Sequence, residues 1–175
     1  DIALDDIFLT AGACGSTSNI NPGTCGASGS VVDVGANCTF TTSTCNYQME
    51  AVTGSVPWRG LVQDSSAQNQ DLPTEDAGGN RYGYVYYQNI HGHEGDSARL
   101  RTPFFKSTSM TKLRFYSYFN GLDVGSLQVF TEDRNGARNR VWHHSGQQDP
   151  GWLLDCLPLD TESEVFVEFV ATRSS

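Results

Sequence analysis

The chain has 175 residues, 38 % of them apolar and 11 % aromatic, which suits one domain with its own core and lies outside the disordered range. A formal charge of −9 argues against nucleic acid, whose phosphates need a basic footprint, and against docking on an anionic membrane surface. No run approaches the roughly 18 apolar residues of a membrane-spanning helix, so no membrane insertion is expected.

The first element is an alternating strand, Asp1 to Leu9, with Ile2, Leu4 and Ile7 set against acidic neighbours and an edge or bulge near Asp5-Asp6. Residues 10–37 are rich in Gly, Ser, Thr and Asn, with a turn at Asn21-Pro22-Gly23, and form a linker or a disulfide-pinned loop. Strand signals resume with Phe40, Cys45, Tyr47 and Met49. A long polar loop from Gln63 to Asn80 follows, of the length that compact domains keep for function or mobility. Tyr82 to Gln88 puts Tyr82, Tyr84 and Tyr86 on one face and Val85 and Tyr87 on the other. Ser97 to Arg101 turns Ala98 and Leu100 inward and is closed by Pro103. Lys112 to Phe119, Ser126 to Glu132, Asn139 to His143, Gly151 to Leu159 and Glu164 to Thr172 are further strands. No window shows a 3.6-residue period. The expectation is an all-β sandwich or jelly roll.

Five cysteines, Cys14, Cys25, Cys38, Cys45 and Cys156, fit an oxidising, extracellular compartment, and the lack of any CxxC pair argues against structural zinc. Asn37-Cys38-Thr39 is a glycosylation sequon. No leader-like run is visible and position 1 is Asp, as in a mature or excised segment. His91-Gly92-His93-Glu94 sits between glycines and reads as a solvated turn, while His143 and His144 face opposite ways along a strand. A hard cation is the better metal hypothesis, because calcium takes carboxylate and carbonyl oxygens. Asp5 and Asp6 flank the first strand, and Asp71, Glu75 and Asp76 lie in the long loop. No Gly-x-Ser-x-Gly elbow occurs, and paired carboxylates discriminate nothing in so acidic a chain, so no enzyme is expected. Trp58, Trp142 and Trp152, with the tyrosines of 82–87, are either core or a sugar-stacking platform.

Taken together, several segments resemble the MAM family, the extracellular module of meprins, neuropilins and mu-type receptor tyrosine phosphatases. They are Cys38-x-Phe40, Cys45-x-Tyr47-x-Met49, Trp58, Gly83-Tyr84-Val85-Tyr86, Gly95 to Pro103, Leu113 to Gly121, Gly125 to Val129, Val141-Trp142 with Gly146 and Trp152, and Phe166 to Ala171. The resemblance implies a jelly-roll sandwich of two antiparallel sheets, an adhesion or dimerisation role and no catalytic centre. It also implies a Cys38–Cys45 disulfide. Some members hold a calcium or sodium ion with acids of the regions of Asp5, Asp6, Asp71 and Asp76, although Thr41 stands here where the family often has an acid. The family pairs its late cysteine with one just ahead of the strand Leu113 to Phe119, where this chain has Thr111 and Lys112. Cys14 is then expected to close on Cys25, leaving Cys156 a free, buried thiol.

The family's closing strand resembles Ile2-Ala3-Leu4-Asp5-Asp6-Ile7, and here it comes first. Residues 1–14 are therefore a closing strand, from a preceding repeat or permuted, 15–37 a linker, and 38–175 the sandwich. Ile2, Leu4 and Ile7 can fill the open sheet edge in a tandem array, in cis, or in trans between copies; the plain alternative is an irregular tail. The 28 residues of 10–37 reach across a domain roughly 35 Å wide at up to ~3.3 Å each. The expected function is a secreted, non-catalytic adhesion or assembly module, with copies of itself or other protein modules as partners. The alternative is a carbohydrate-binding jelly roll.

Overall fold

A computed structural model describes residues 1–11, 30–31, 35–54, 56–60, 71–80, 83–89, 91–121, 124–148 and 151–174. All regular structure among them is β. The strands are β1 (Ile2–Ala11), β2 (Ser30–Val31), β3 (Gln48–Thr53), β4 (Arg59–Gly60), β5 (Val85–Tyr87) and β6 (Ser97–Arg101), then β7 (Phe105–Lys106), β8 (Thr111–Phe119), β9 (Ser126–Asp133), β10 (Arg138–Ser145), β11 (Leu153–Pro158) and β12 (Glu164–Thr172).

Two antiparallel sheets face each other. The first runs β11-β8-β1-β5-β4 with β2 beside the end of β1, and the second runs β10-β9-β12-β6-β3 with β7 beside β12. Period-two alternation sets the inner faces. Leu113, Phe115, Ser117 and Phe119 of β8 point inward and are buried, as are Leu127, Val129 and Thr131 of β9 and Val165, Val167, Phe169 and Ala171 of β12. These strands and β6 match the expected alternation. β10 is longer at both ends, β11 starts after Trp152, and β4 and β7 are too short to have been visible as periodic runs.

β1 departs most from expectation. It was expected to fill an edge, yet it lies in the interior of the first sheet. Ile2, Ala3 and Leu4 pair with Phe119, Tyr118 and Ser117 of β8 on one side and with Tyr87, Tyr86 and Val85 of β5 on the other. The chain lacking β1 would therefore hold two half-sheets rather than one sheet with an open edge. Within the stretch expected as linker, Ser30–Val31 pairs with Thr10–Ala11.

Candidate functional site

The site is the groove that β1 fills, together with the acidic corner beside it. A bulge between Asp5 and Phe8, with Asp6 at a left-handed φ of 47°, inserts one residue into β1. That slip resets the alternation, so Ile2 and Leu4 before the bulge and Ile7 and Leu9 after it all face the core, each 0–2 % exposed. It also turns the Ile7 backbone away from β8. Ile7 N–H donates to the Cys38 carbonyl at 2.9 Å, and Cys38 N–H to the Ile7 carbonyl at 2.8 Å. Leu9 N–H donates to Asn37 Oδ1 at 2.7 Å. β1 is therefore hydrogen-bonded along both sides, and the segment at 37–38 completes the side that β5 leaves.

The same bulge presents Asp5 and Asp6 next to Asp76 of the loop 71–80. Asp5 is buried. Its Oδ1 accepts the Asp6 N–H at 2.7 Å and its Oδ2 the Ala77 N–H at 2.8 Å. Asp76 is buried too, and its Oδ1 accepts the N–H groups of Gly78 and Asn80 at 2.9 and 2.7 Å. Gly83 makes room for it: φ is 138°, and a Cβ there would sit 3.0 Å from Asp76 Oδ2. Burial first, then the like charges of Asp6 and Asp76, push the Asp5 carboxyl up to about 7 against the pull of those N–H donors. Asp6 is raised by burial and by Asp76, with Arg114 opposing. Trp152 fixes the loop by donating its indole N–H to the Glu75 carbonyl at 2.9 Å while lying 5.7 Å from Tyr84 and 5.6 Å from Tyr118.

Of the four acids proposed for a cation, Asp5, Asp6 and Asp76 meet here. Asp71 does not: its carboxylate lies beside Gly121, at the end of the sandwich where Asp1 and Asn120 line a cavity of about 450 Å³. The three suit a hard cation in kind, being carboxylates, two of them buried, that repel one another. Among the described residues, however, no three His, Cys, Asp or Glu side chains stand close enough together to hold a metal.

The remaining candidates take structural places. His91, His93 and Glu94 are exposed. Asn37 uses its side-chain oxygen on β1, so the sequon is engaged in the fold. Trp58 is buried and donates to the Ala98 carbonyl at 3.2 Å, and Trp142 packs on Phe115 at 5.4 Å. Cys38 and Cys45 form a disulfide, with Cα atoms 5.7 Å apart. The Cys14–Cys25 pairing lies outside the described residues. Cys156 is a correction: it is half-buried and disulfide-bonded, not a free thiol. β11 pairs with β8, which sets Cys156 opposite Arg114 at a half-buried place in the sheet rather than in the core.

The MAM domain profile, meprin/A5/mu, matches residues 38–175. The chain belongs to this family. MAM domains are generally extracellular adhesion modules without a catalytic centre, and the two antiparallel sheets are their jelly-roll sandwich. MAM domain-containing protein 2 of Homo sapiens is 24 % identical over 174 residues, 98 % of this chain and 24 % of that protein. Thyroid hormone-induced protein B of Xenopus laevis is 25 % identical over 180 residues, 98 % of this chain and 23 % of that protein. The chain thus spans about a quarter of the length of these curated relatives. The MAM profile begins at residue 38, whereas the likeness to the relatives covers nearly all of the chain. They therefore carry a counterpart to most of the segment ahead of the domain.

Sequence reasoning missed one cluster. Glu168 of β12 is 2 % exposed on the outer face of the second sheet, where Arg101 Nε donates to it at 2.5 Å and Arg138 reaches it from the other side. A single acid in the run Val165-Phe166-Val167-Glu168-Phe169-Val170 was the signal.

Proposed function

We propose that this chain is one repeat-sized piece of a larger extracellular protein, a non-catalytic adhesion and assembly module whose closing strand β1 is exchangeable between neighbouring repeats or copies. One observation carries this reading. A strand from ahead of the MAM domain fits the groove inside the first sheet with four apolar side chains buried and hydrogen bonds on both edges. The likeness to the relatives supports it, because it runs through the segment ahead of residue 38 that contains β1.

The test is the mass in solution of the full chain after refolding over a concentration series. Exchange predicts dimers and longer oligomers that dissociate slowly and that Leu4→Asp abolishes. A full chain that is monomeric at every concentration overturns exchange and leaves β1 as a strand closing its own domain.

A further inference from the structure

We propose that the outer face of the second sheet docks the acidic corner of a second copy of this chain, head to tail. The inference names a surface for the assembly reading above and rests on it. Charge is the first argument. Six of the chain's eleven Lys and Arg, namely Arg99, Arg101, Lys106, Arg134, Arg138 and Arg140, lie on or over this one face, against four of its twenty Asp and Glu. In a molecule of net charge −9, this face is basic and the rest is strongly acidic.

The second argument is the construction of the face. Guanidinium groups lie on aromatic rings: Arg138 over Phe130 at 3.6 Å, Arg134 over Phe104 at 4.2 Å and Arg101 over Phe166 at 4.9 Å. Phe104 and Phe166 meet edge to face at 5.1 Å, and Phe104 is 36 % exposed. Glu168 below anchors Arg101 and Arg138, so these long side chains are already ordered and lose little entropy on docking. Their forks are not spent. A guanidinium has five N–H donors, whereas Arg101 and Arg138 each give one to Glu168, with Glu132 a further 3.7 Å neighbour of Arg138, and Arg140 gives one to Gln128 at 3.4 Å; Arg99 and Arg134 give two each to Glu50 and Glu164. Ordered Arg beside Phe is the composition of interface centres.

The molecule carries the complement as well. The corner at the β1 bulge stands on buried Asp5 and Asp76 and presents half-buried Asp6 and exposed Glu75 to solvent, with Arg114 as the cation acting on Asp6. Basic face and acidic corner belong to different sheets, so the contact is heterologous and repeats from copy to copy rather than closing as a two-fold dimer.

Sedimentation velocity of the full chain in EDTA, at 50 and 500 mM NaCl, tests the proposal. The expected result is fast, reversible association at low salt that weakens about tenfold or more at high salt. Arg140→Glu and Glu75→Lys, both exposed positions outside the core, should each abolish association, and an equimolar mixture of the two variants should restore it as a mixed pair. Lys112→Glu, on the first sheet, should leave it unchanged. Association unaffected by Arg140→Glu, no rescue on mixing, or a monomer at low salt each overturns the docking surface. Oligomers that are slow to dissociate and indifferent to salt are the signature of β1 exchange, and would overturn this surface while supporting the strand-exchange reading.

Discussion

Each sheet has a central strand with a buried acid in it, and the two acids are treated in opposite ways. In the second sheet β12 carries Glu168, and Arg101 and Arg138 neutralise it from both sides. In the first sheet β1 carries Asp5, which receives two backbone N–H bonds but stands among the like charges of Asp6 and Asp76. The strand that belongs to the domain by sequence order is thus fully compensated. The strand that arrives from ahead of it is apolar enough to seat and charged enough to be conditional on a proton. Leaving a buried carboxylate without a counter-charge weakens the first sheet where the module is proposed to open.

The comparison can be broken most severely at the core positions. Leu4→Asp puts a charge into a fully buried site, and we expect a loss of about 4 kcal/mol or more in urea unfolding, comparable to Val167→Asp in β12. If Leu4→Asp is mild while Val167→Asp unfolds the protein, β1 is not integral. Next in size, Cys38→Ser with Cys45→Ser opens the short loop that supplies the carbonyl for Ile7, for about 2–3 kcal/mol of stability by the chain-entropy model.

The acids themselves should then differ in sign. Glu168→Ala strands two guanidinium groups at a buried position and should cost about 2 kcal/mol, softened because Arg101 and Arg138 are partly solvated. Asp5→Asn removes repulsion, so at pH 8 it should be neutral or stabilising. The pH dependence follows from the raised Asp5 value. Between the unfolded carboxylate range near 4 and the folded value of about 7, the folded state binds the extra proton, so stability falls as pH rises through that window. Acidifying from pH 8 to 5.5 should raise the melting temperature by about 3–6 °C, and Asp5→Asn should flatten that rise. Glu50, Asp96 and Glu164 are lowered instead, so their contribution is lost only on acidification below their ordinary range and does not mask the effect. The smallest expected effect is that of millimolar calcium at pH 7.5, which should leave both proteins' melting temperatures unchanged, since no three acids of the described residues stand close enough to hold it; a rise absent in Asp5→Asn would contradict this.

What was legible in the chain was what local pattern controls. The alternation of Ile2, Leu4 and Ile7 around Asp5-Asp6 announces both a strand and its bulge, because a one-residue slip is the only way to keep those side chains on one face. The Cys38–Cys45 disulfide was legible through a resemblance. Features set by tertiary neighbours were not. Arg101 and Arg138 reach Glu168 from 67 and 30 residues away, and Asn37 meets Leu9 across 28 residues. Choosing Asp76 over Asp71 required the path of the loop. Asp155 looked like an ordinary strand acid, yet it takes bonds from Trp142 at 3.2 Å and Ser117 at 3.3 Å, and burial raises its carboxyl. The half-buried place of Cys156 required knowing that β11 pairs with β8.

Amide hydrogen exchange on the full chain tests the central claim most directly. The account predicts that the β1 amides, Ile7 among them, are protected to the same degree as those of β8 beside them. Protection in β8 and β12 with rapid, unprotected exchange throughout β1 would contradict it.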